Sequence, residues 1–125
     1  MRTAIISTTT KLVGVSFGEA QKNIRRFGRE EIESFELVRE PDNAHDPNAI
    51  KVVLGDCYLG YLPRRLASRL APAMDAGRKY EAIFSRQNRS PHHDLVGLTV
   101  RVQVVPTMQR EPELAFDISR KGENV

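Results

Sequence analysis

Two apolar runs of six residues, Ala49-Ile50-Lys51-Val52-Val53-Leu54 and Cys57-Tyr58-Leu59-Gly60-Tyr61-Leu62, are separated only by Gly55-Asp56. Two residues of turn chemistry between strand-like runs make a tight β-hairpin. Pro63 comes next, suited to the first turn of a helix because its missing N–H is a donor the helix could not use. Leu66, Ala67, Leu70, Ala71 and Met74 then form an apolar stripe, with Arg64, Arg65, Ser68 and Arg69 on or near the other face. Pro72 removes a backbone donor and crowds the carbonyl of Ser68, so this helix is expected to kink or restart before ending at Gly77.

The remaining elements are read from period and punctuation. Thr9 to Phe17 reads as a strand bent at Gly14, and Ser16 is placed to cap the first helix. Ala20, Ile24 and Phe27 recur at helical spacing, with Gly28 as the stop. Alternation predicts a strand from Ser34 to Glu40. Arg78 to Phe84 and Leu95 to Val105 read as strands, and Ser85 to Asp94 as an exposed loop holding His92 and His93. The order strand, helix, strand, loop, hairpin, helix, two strands suits a mixed α/β, mainly β domain: a small OB-like, partly open barrel of about six strands with two short helices. Residues 1–11 form an N-terminal strand or arm, 12–105 the domain, and 106–125 an extension expected to be loosely attached.

At 125 residues the chain suffices for one core and is short for two. It lacks an apolar run of membrane-spanning length and a secretory leader, so it is expected to stay in the cytoplasm, as a monomer. Cys57 is the sole cysteine, which excludes an internal disulfide and a structural CxxC zinc pair; it reads as buried and structural. From Gly60 to Ser90 seven basic residues face only Asp75 and Glu81, whereas from Met1 to Glu40 seven basic and six acidic residues nearly cancel.

Catalytic signals are missing. The sequence has neither a Gly-Lys-Ser/Thr phosphate loop nor a GxGxxG after a strand, so neither a nucleotide motor nor a dinucleotide cofactor is expected. His45-Asp46 in a polar loop is a weak metal or acid–base signal, and Glu30-Glu31-Glu33 reads as a solvated turn rather than converging nuclease carboxylates. The chain is read as a non-enzyme without cofactor or metal, a metal-dependent nuclease-associated domain being a minor alternative.

Between the second strand and the hairpin lies Pro41-Asp42-Asn43-Ala44-His45-Asp46-Pro47-Asn48, an ordered polar loop. Arg39, Pro41, Asp42, Asn43 and Asn48 read as residues that build it, and Asp46 as either loop-building or ligand-facing. On the residues alone, Phe17 reads as a core residue.

Three pieces in order carry a resemblance: Val13-Gly14-Val15-Ser16-Phe17, the block Leu37 to Val52 containing Arg39-Glu40-Pro41-Asp42-Asn43-Ala44-His45-Asp46-Pro47-Asn48-Ala49-Ile50, and Leu59-Gly60-Tyr61-Leu62-Pro63-Arg64. Together they resemble the HIRAN domain family over about Leu12 to Val105. The resemblance implies a module found beside SNF2-type helicase motors and in bacterial proteins, whose fork-remodelling eukaryotic member holds a 3′ end of single-stranded DNA in an OB-like barrel. It implies that Phe17 stacks on a terminal base and that the His45-Asp46 loop walls the end pocket, with Asp46 at the sugar hydroxyl. It further implies that Tyr61 and Arg64 lie near the nucleotide and its phosphate. Ser16 stands where that relative has arginine and His45 where it has tyrosine, so one charge and one broad stacking surface are absent.

Physically, an aromatic face stacks any base, a carboxylate accepts from a sugar hydroxyl, and Arg64 pairs with phosphate. Arg65 and Arg69 would extend a basic rim. The expectation is a DNA-binding module for single strands or an exposed 3′ end, partnering a helicase, nuclease or other repair protein. The competing expectation is a protein-binding or regulatory adaptor on the same barrel, since function need not follow fold.

Overall fold

The hairpin forms as expected and is one corner of a larger sheet. The computed structural model describes residues 7–106, apart from the His93 side chain. The extension beyond Pro106 lies outside the described residues.

Six strands and two helices run in the order β1 (Ser7–Lys11), α1 (Ala20–Phe27), β2 (Ser34–Arg39), β3 (Ile50–Leu54), β4 (Cys57–Tyr61), α2 (Arg64–Asp75), β5 (Tyr80–Ser90) and β6 (His93–Val104). All strand pairs are antiparallel, in the spatial order β1-β6-β5-β2-β3-β4. The result is a curled half-barrel, mainly β, of the OB-like kind. Ile24 of α1, Phe35, Ile50, Leu59, Leu70 of α2 and Val100 meet in its core, each at most 2% exposed. Burial of each contributes roughly 1.5–3 kcal/mol.

The first strand differs from its sequence reading. It ends at Lys11, and Ser7 to Lys11 pairs along its length with β6, so this segment belongs to the same sheet. Beyond it the backbone changes partner: the Leu12 amide donates to the Leu98 carbonyl on β6, while Val13 exchanges two hydrogen bonds of 2.8 Å with Tyr61 on β4. The two outer strands are thereby joined by a single bridge. Gly60 permits the approach, because a Cβ there would lie 2.8 Å from the Val13 carbonyl oxygen and 3.1 Å from Leu12 Cβ.

Gly14, at φ +67°, then starts a turn through Phe17 and Gly18 that delivers α1. Ser16 does not cap that helix: Glu19 occupies the cap position without a side-chain bond. Gly28 closes α1 with its amide on the Ile24 carbonyl at 2.7 Å. The reason for glycine is crowding rather than a left-handed φ, since a Cβ would sit 2.6 Å from the Ile24 oxygen.

Of the two alternatives read at Pro72, the restart does not occur, and two further readings are corrected. Helix α2 runs through Pro72 to Asp75 without restarting; Ser68, whose carbonyl loses its donor, is exposed, so water can satisfy it. Ser85 to Asp94 is not a loop but the end of a long hairpin, with register shifts between Phe84 and Arg86 and between Asn88 and Ser90. Those shifts broke the alternation that would have marked strands. Cys57 is half-buried at the start of β4 rather than buried.

Gly60→Ala is expected to destabilise the domain by about 1–3 kcal/mol, the usual penalty of overpacking. Urea unfolding measures it; an unchanged midpoint would show that the Val13–Tyr61 closure does not need the missing side chain.

Candidate functional site

The closure point also builds a cleft. Val13, Gly14 and Phe17 from the crossing segment, Asn43, His45, Asp46 and Ala49 from the polar loop, and Tyr61, Leu62 and Arg64 from the β4–α2 junction line an open hollow of about 590 Å³. Phe17 is 66% exposed and Val13 46%. Two of the four exposed large apolar residues among the described residues therefore face one cleft.

The polar loop is tied by its own side chains. The Asn43 amide oxygen accepts the amides of His45 (2.8 Å) and Asp46 (3.1 Å), and Asp46 Oδ1 accepts the Asn48 amide at 2.9 Å. Arg39 anchors the loop's end from outside, donating to the Ala49 carbonyl at 3.0 Å and through two bonds, 2.9 and 3.1 Å, to Asp75 of α2. Those bonds hold the Asp75 carboxyl below the usual carboxylate range. Pro41 and Asp42 are exposed, and the side chains of Asp42 and Asn48 make no hydrogen bond among the described residues. The loop is held through Arg39, Asn43 and Asp46 instead.

Glu40, not singled out in the sequence, is the hub. Its Oε1 accepts the Tyr61 hydroxyl at 2.6 Å and the Asn43 amide group at 3.0 Å, while Lys51 Nζ lies 3.1 Å from Oε2. Burial favours the neutral acid, but the hydrogen bonds from Tyr61, Asn43 and Lys51 and the charge of Lys51 outweigh it and leave Glu40 below its ordinary value. Tyr61 responds oppositely: burial, then its bond to Glu40 and the nearby negative charge, push its phenol up to about 12. Tyr58 packs edge-on against Tyr61, ring centroids 5.6 Å apart, and donates to the Gly14 carbonyl at 2.6 Å. A side chain at Gly14 would meet the Tyr58 oxygen at 2.9 Å. Only the glutamate's place between Arg39 and Pro41 hinted at this role.

At the rim, Arg64 donates to the His45 carbonyl at 2.6 Å, and its Nε lies 3.5 Å from Asp46 Oδ2. The arginine side chain is 72% exposed, so this pair is worth no more than about 1 kcal/mol. Phe17, His45, Asp46, Tyr61 and Arg64 thus come together, whereas Arg65 and Arg69 are exposed on α2 and do not line the cleft. Arg78 and Lys79 border a different hollow of about 630 Å³ beside β2, together with Arg39. It is slightly larger but gathers none of the loop residues. Among the described residues no three His, Cys, Asp or Glu side chains could together hold a metal ion, and no helix is long and apolar enough to cross a membrane.

The chemistry available is an exposed aromatic, an apolar floor, one carboxylate oxygen and one exposed cation at a rim. The family model that describes the HIRAN domain matches residues 5–105. A Fanconi-associated nuclease 1 homolog of Oryza sativa subsp. japonica is 54% identical over 46 residues, 34% of this chain, and one of Arabidopsis thaliana is 50% identical over 40 residues, 31% of it. The matched stretch spans only 5% and 4% of those proteins. The HIRAN domain of human HLTF superposes with a TM-score of 0.55 at 22% identity, covering 79% of this chain and 74% of that one. A protein from Lactobacillus plantarum gives 0.59 at 25%, covering 78% and 95%. These likenesses bear on the fold.

The Glu40–Tyr61 bond is expected to show in the tyrosine absorbance titration, one phenol ionising near pH 12. Because that value lies above the unfolded one of about 10, the associated stability is complete below about pH 10 and lost as pH rises toward 12. Glu40→Gln should move the titration part of the way down; no movement would show that the bond is not made.

Proposed function

Because the chain belongs to the HIRAN domain family, we propose that it is a non-catalytic DNA-binding module holding single-stranded DNA, or an exposed 3′ end, in the Phe17–Asp46–Arg64 cleft. The observation that carries this is the exposure of Phe17 beside the one carboxylate and the one arginine of the same hollow. A large aromatic left in water is costly unless something covers it, and a base is flat, apolar on its faces and indifferent to sequence in that contact.

Each side chain then has a task its chemistry fits. Phe17 stacks on the terminal base against the wall of Val13 and the Tyr61 ring. Asp46 keeps Oδ1 on the Asn48 amide and offers Oδ2 to a sugar hydroxyl. Arg64 turns from Asp46 to a backbone phosphate, with His45 at the outer edge. Base edges find few readers: the Tyr61 hydroxyl and both ends of the Asn43 amide are already engaged within the protein. The module therefore recognises an end or a strand, not a sequence. The nuclease relatives favour a setting in DNA repair, in which the module brings a nuclease, helicase or other repair protein to an exposed strand.

Fluorescence anisotropy with labelled single strands tests this. Phe17→Ala is expected to cost about 1–3 kcal/mol, roughly 5- to 150-fold in affinity. Asp46→Asn preserves the Asn48 bond and should erase a preference for a 3′ hydroxyl over a 3′ phosphate. No binding by the wild-type protein even at low salt would remove the proposal, and retention of a protein partner after nuclease treatment would then favour an adaptor.

A further inference from the structure

A second set of cations is ordered by strand register on the face of β1, β6 and β5 turned away from the core. Lys11 lies opposite Thr99, and Arg86 flanks Thr99 from the other side; two residues along β6, Arg101 lies opposite Thr9. Arg86 owes its place to a bulge. Phe84 pairs with Val100, so unbroken alternation would set Ser85 opposite Thr99 and turn Arg86 toward the core side. The register shift sets Arg86 there instead, on the outer face.

Lys11, Arg86 and Arg101 are all exposed, and none is in an ion pair among the described residues. Between them stand the half-buried Ile83, opposite Arg101, and neutral polar groups: the Thr99 hydroxyl donates to Asn88 at 2.7 Å, and Arg101 donates to Gln103 at 3.3 Å. Glu81, a carboxylate on the same face, accepts from Gln103 at 3.2 Å. Lys11, Arg86 and Arg89 border a hollow of about 570 Å³.

This hollow and the cleft meet through one short piece of chain. Lys11 borders the first and Val13 the second, about 7 Å apart at most along an extended backbone. Leu12 between them is buried and bonded to Leu98 at 2.9 Å, so the relation is fixed.

We infer that this basic face is a track for the sugar-phosphate backbone of a single strand whose end occupies the Phe17 cleft. The inference rests on the reading of that cleft given above. Cations spaced by neutral hydrogen-bonding groups suit a phosphate chain. A protein partner would need aromatic or aliphatic anchors to bury, and of the large apolar residues lining the hollow Leu12 is already buried and Leu95, 51% exposed, remains.

The test uses the full chain carrying Lys11→Gln, Arg86→Gln and Arg101→Gln together, its fold checked by circular dichroism melting. Anisotropy is measured with a trinucleotide and with a strand of about fifteen nucleotides, both ending in a 3′ hydroxyl, between about 50 and 200 mM salt. The triple variant is expected to bind the trinucleotide as the wild type does. On the long strand its log–log salt dependence should be shallower by about 2, three lost contacts at about 0.7 each. An unchanged slope with trinucleotide binding intact would overturn the track and leave the cleft. Failure of the wild type to bind the trinucleotide would instead sink the cleft reading and the path from it. Displacement of the long strand by polyglutamate as readily as by an oligonucleotide of equal charge would also overturn the inference, by marking a general anion surface.

Discussion

The two hydrogen bonds between Val13 and Tyr61 hold the two ends of the sheet together, and both the barrel and the cleft depend on them. An open six-stranded sheet would leave two edges of unpaired backbone, a liability in water. Here the segment after β1 leaves β6 at Leu12 and is captured by β4 one residue later. The same step throws Val13 and Phe17 outward and draws Leu12 inward, so closing the barrel and exposing the aromatic are one event. Gly60 and Gly14 are the two places where a side chain would obstruct it.

Behind that closure stands a half-buried carboxylate. Glu40 joins the polar loop, through Asn43, to the bridge strand, through Tyr61, and Lys51 supplies the counter-charge. A half-buried carboxylate with three partners is stable where one without them would be costly, because each hydrogen bond to the ionised form offsets part of the lost hydration. These bonds tie the polar loop to the bridge strand within the protein itself, which would reduce the ordering that binding in the cleft demands.

Much of this was legible from the residues, and the rest was hidden for physical reasons. The β3–β4 hairpin, α1 and α2 were readable because Gly55-Asp56, Gly28 and Pro63 punctuate clear periodicities. The inner parts of β5 and β6 were also readable, but the outer end of their hairpin was not, since two bulges shift the alternation and Gln87 turns inward to donate to the Ile24 and Gly28 carbonyls, which makes a strand look like a loop. The end of β1 was missed for a similar reason: β-branched residues continue past Lys11, but the backbone partner changes. In the cleft, Phe17, Asp46 and Arg64 were singled out by the resemblance of their three motifs to the HIRAN family, whereas the residues alone placed Phe17 in the core. The roles of Glu40 and Gly60 lie in contacts with residues distant in the chain, which no local pattern records. Arg65 and Arg69 were drawn in by neighbourhood in sequence, though a helix turns them away from what Arg64 meets.

The Asp46–Arg64 pair explains how an acidic side chain can sit in a cleft read as accepting DNA. Without a ligand the two charges neutralise each other across 3.5 Å at a solvent-exposed rim, for no more than about 1 kcal/mol. A phosphate offers Arg64 charge-assisted bonds worth about 1.5–3 kcal/mol, and a sugar hydroxyl offers Asp46 a donor in place of the departing guanidinium. The exchange is most favourable when both arrive together. A free inorganic anion satisfies Arg64 but leaves Asp46 facing its negative charge, and a neutral sugar does nothing for Arg64. On the proposed reading a terminal nucleotide would supply both groups on one framework, and the pair would discriminate between ligands by requiring two partners at a fixed separation, with no reading of the base.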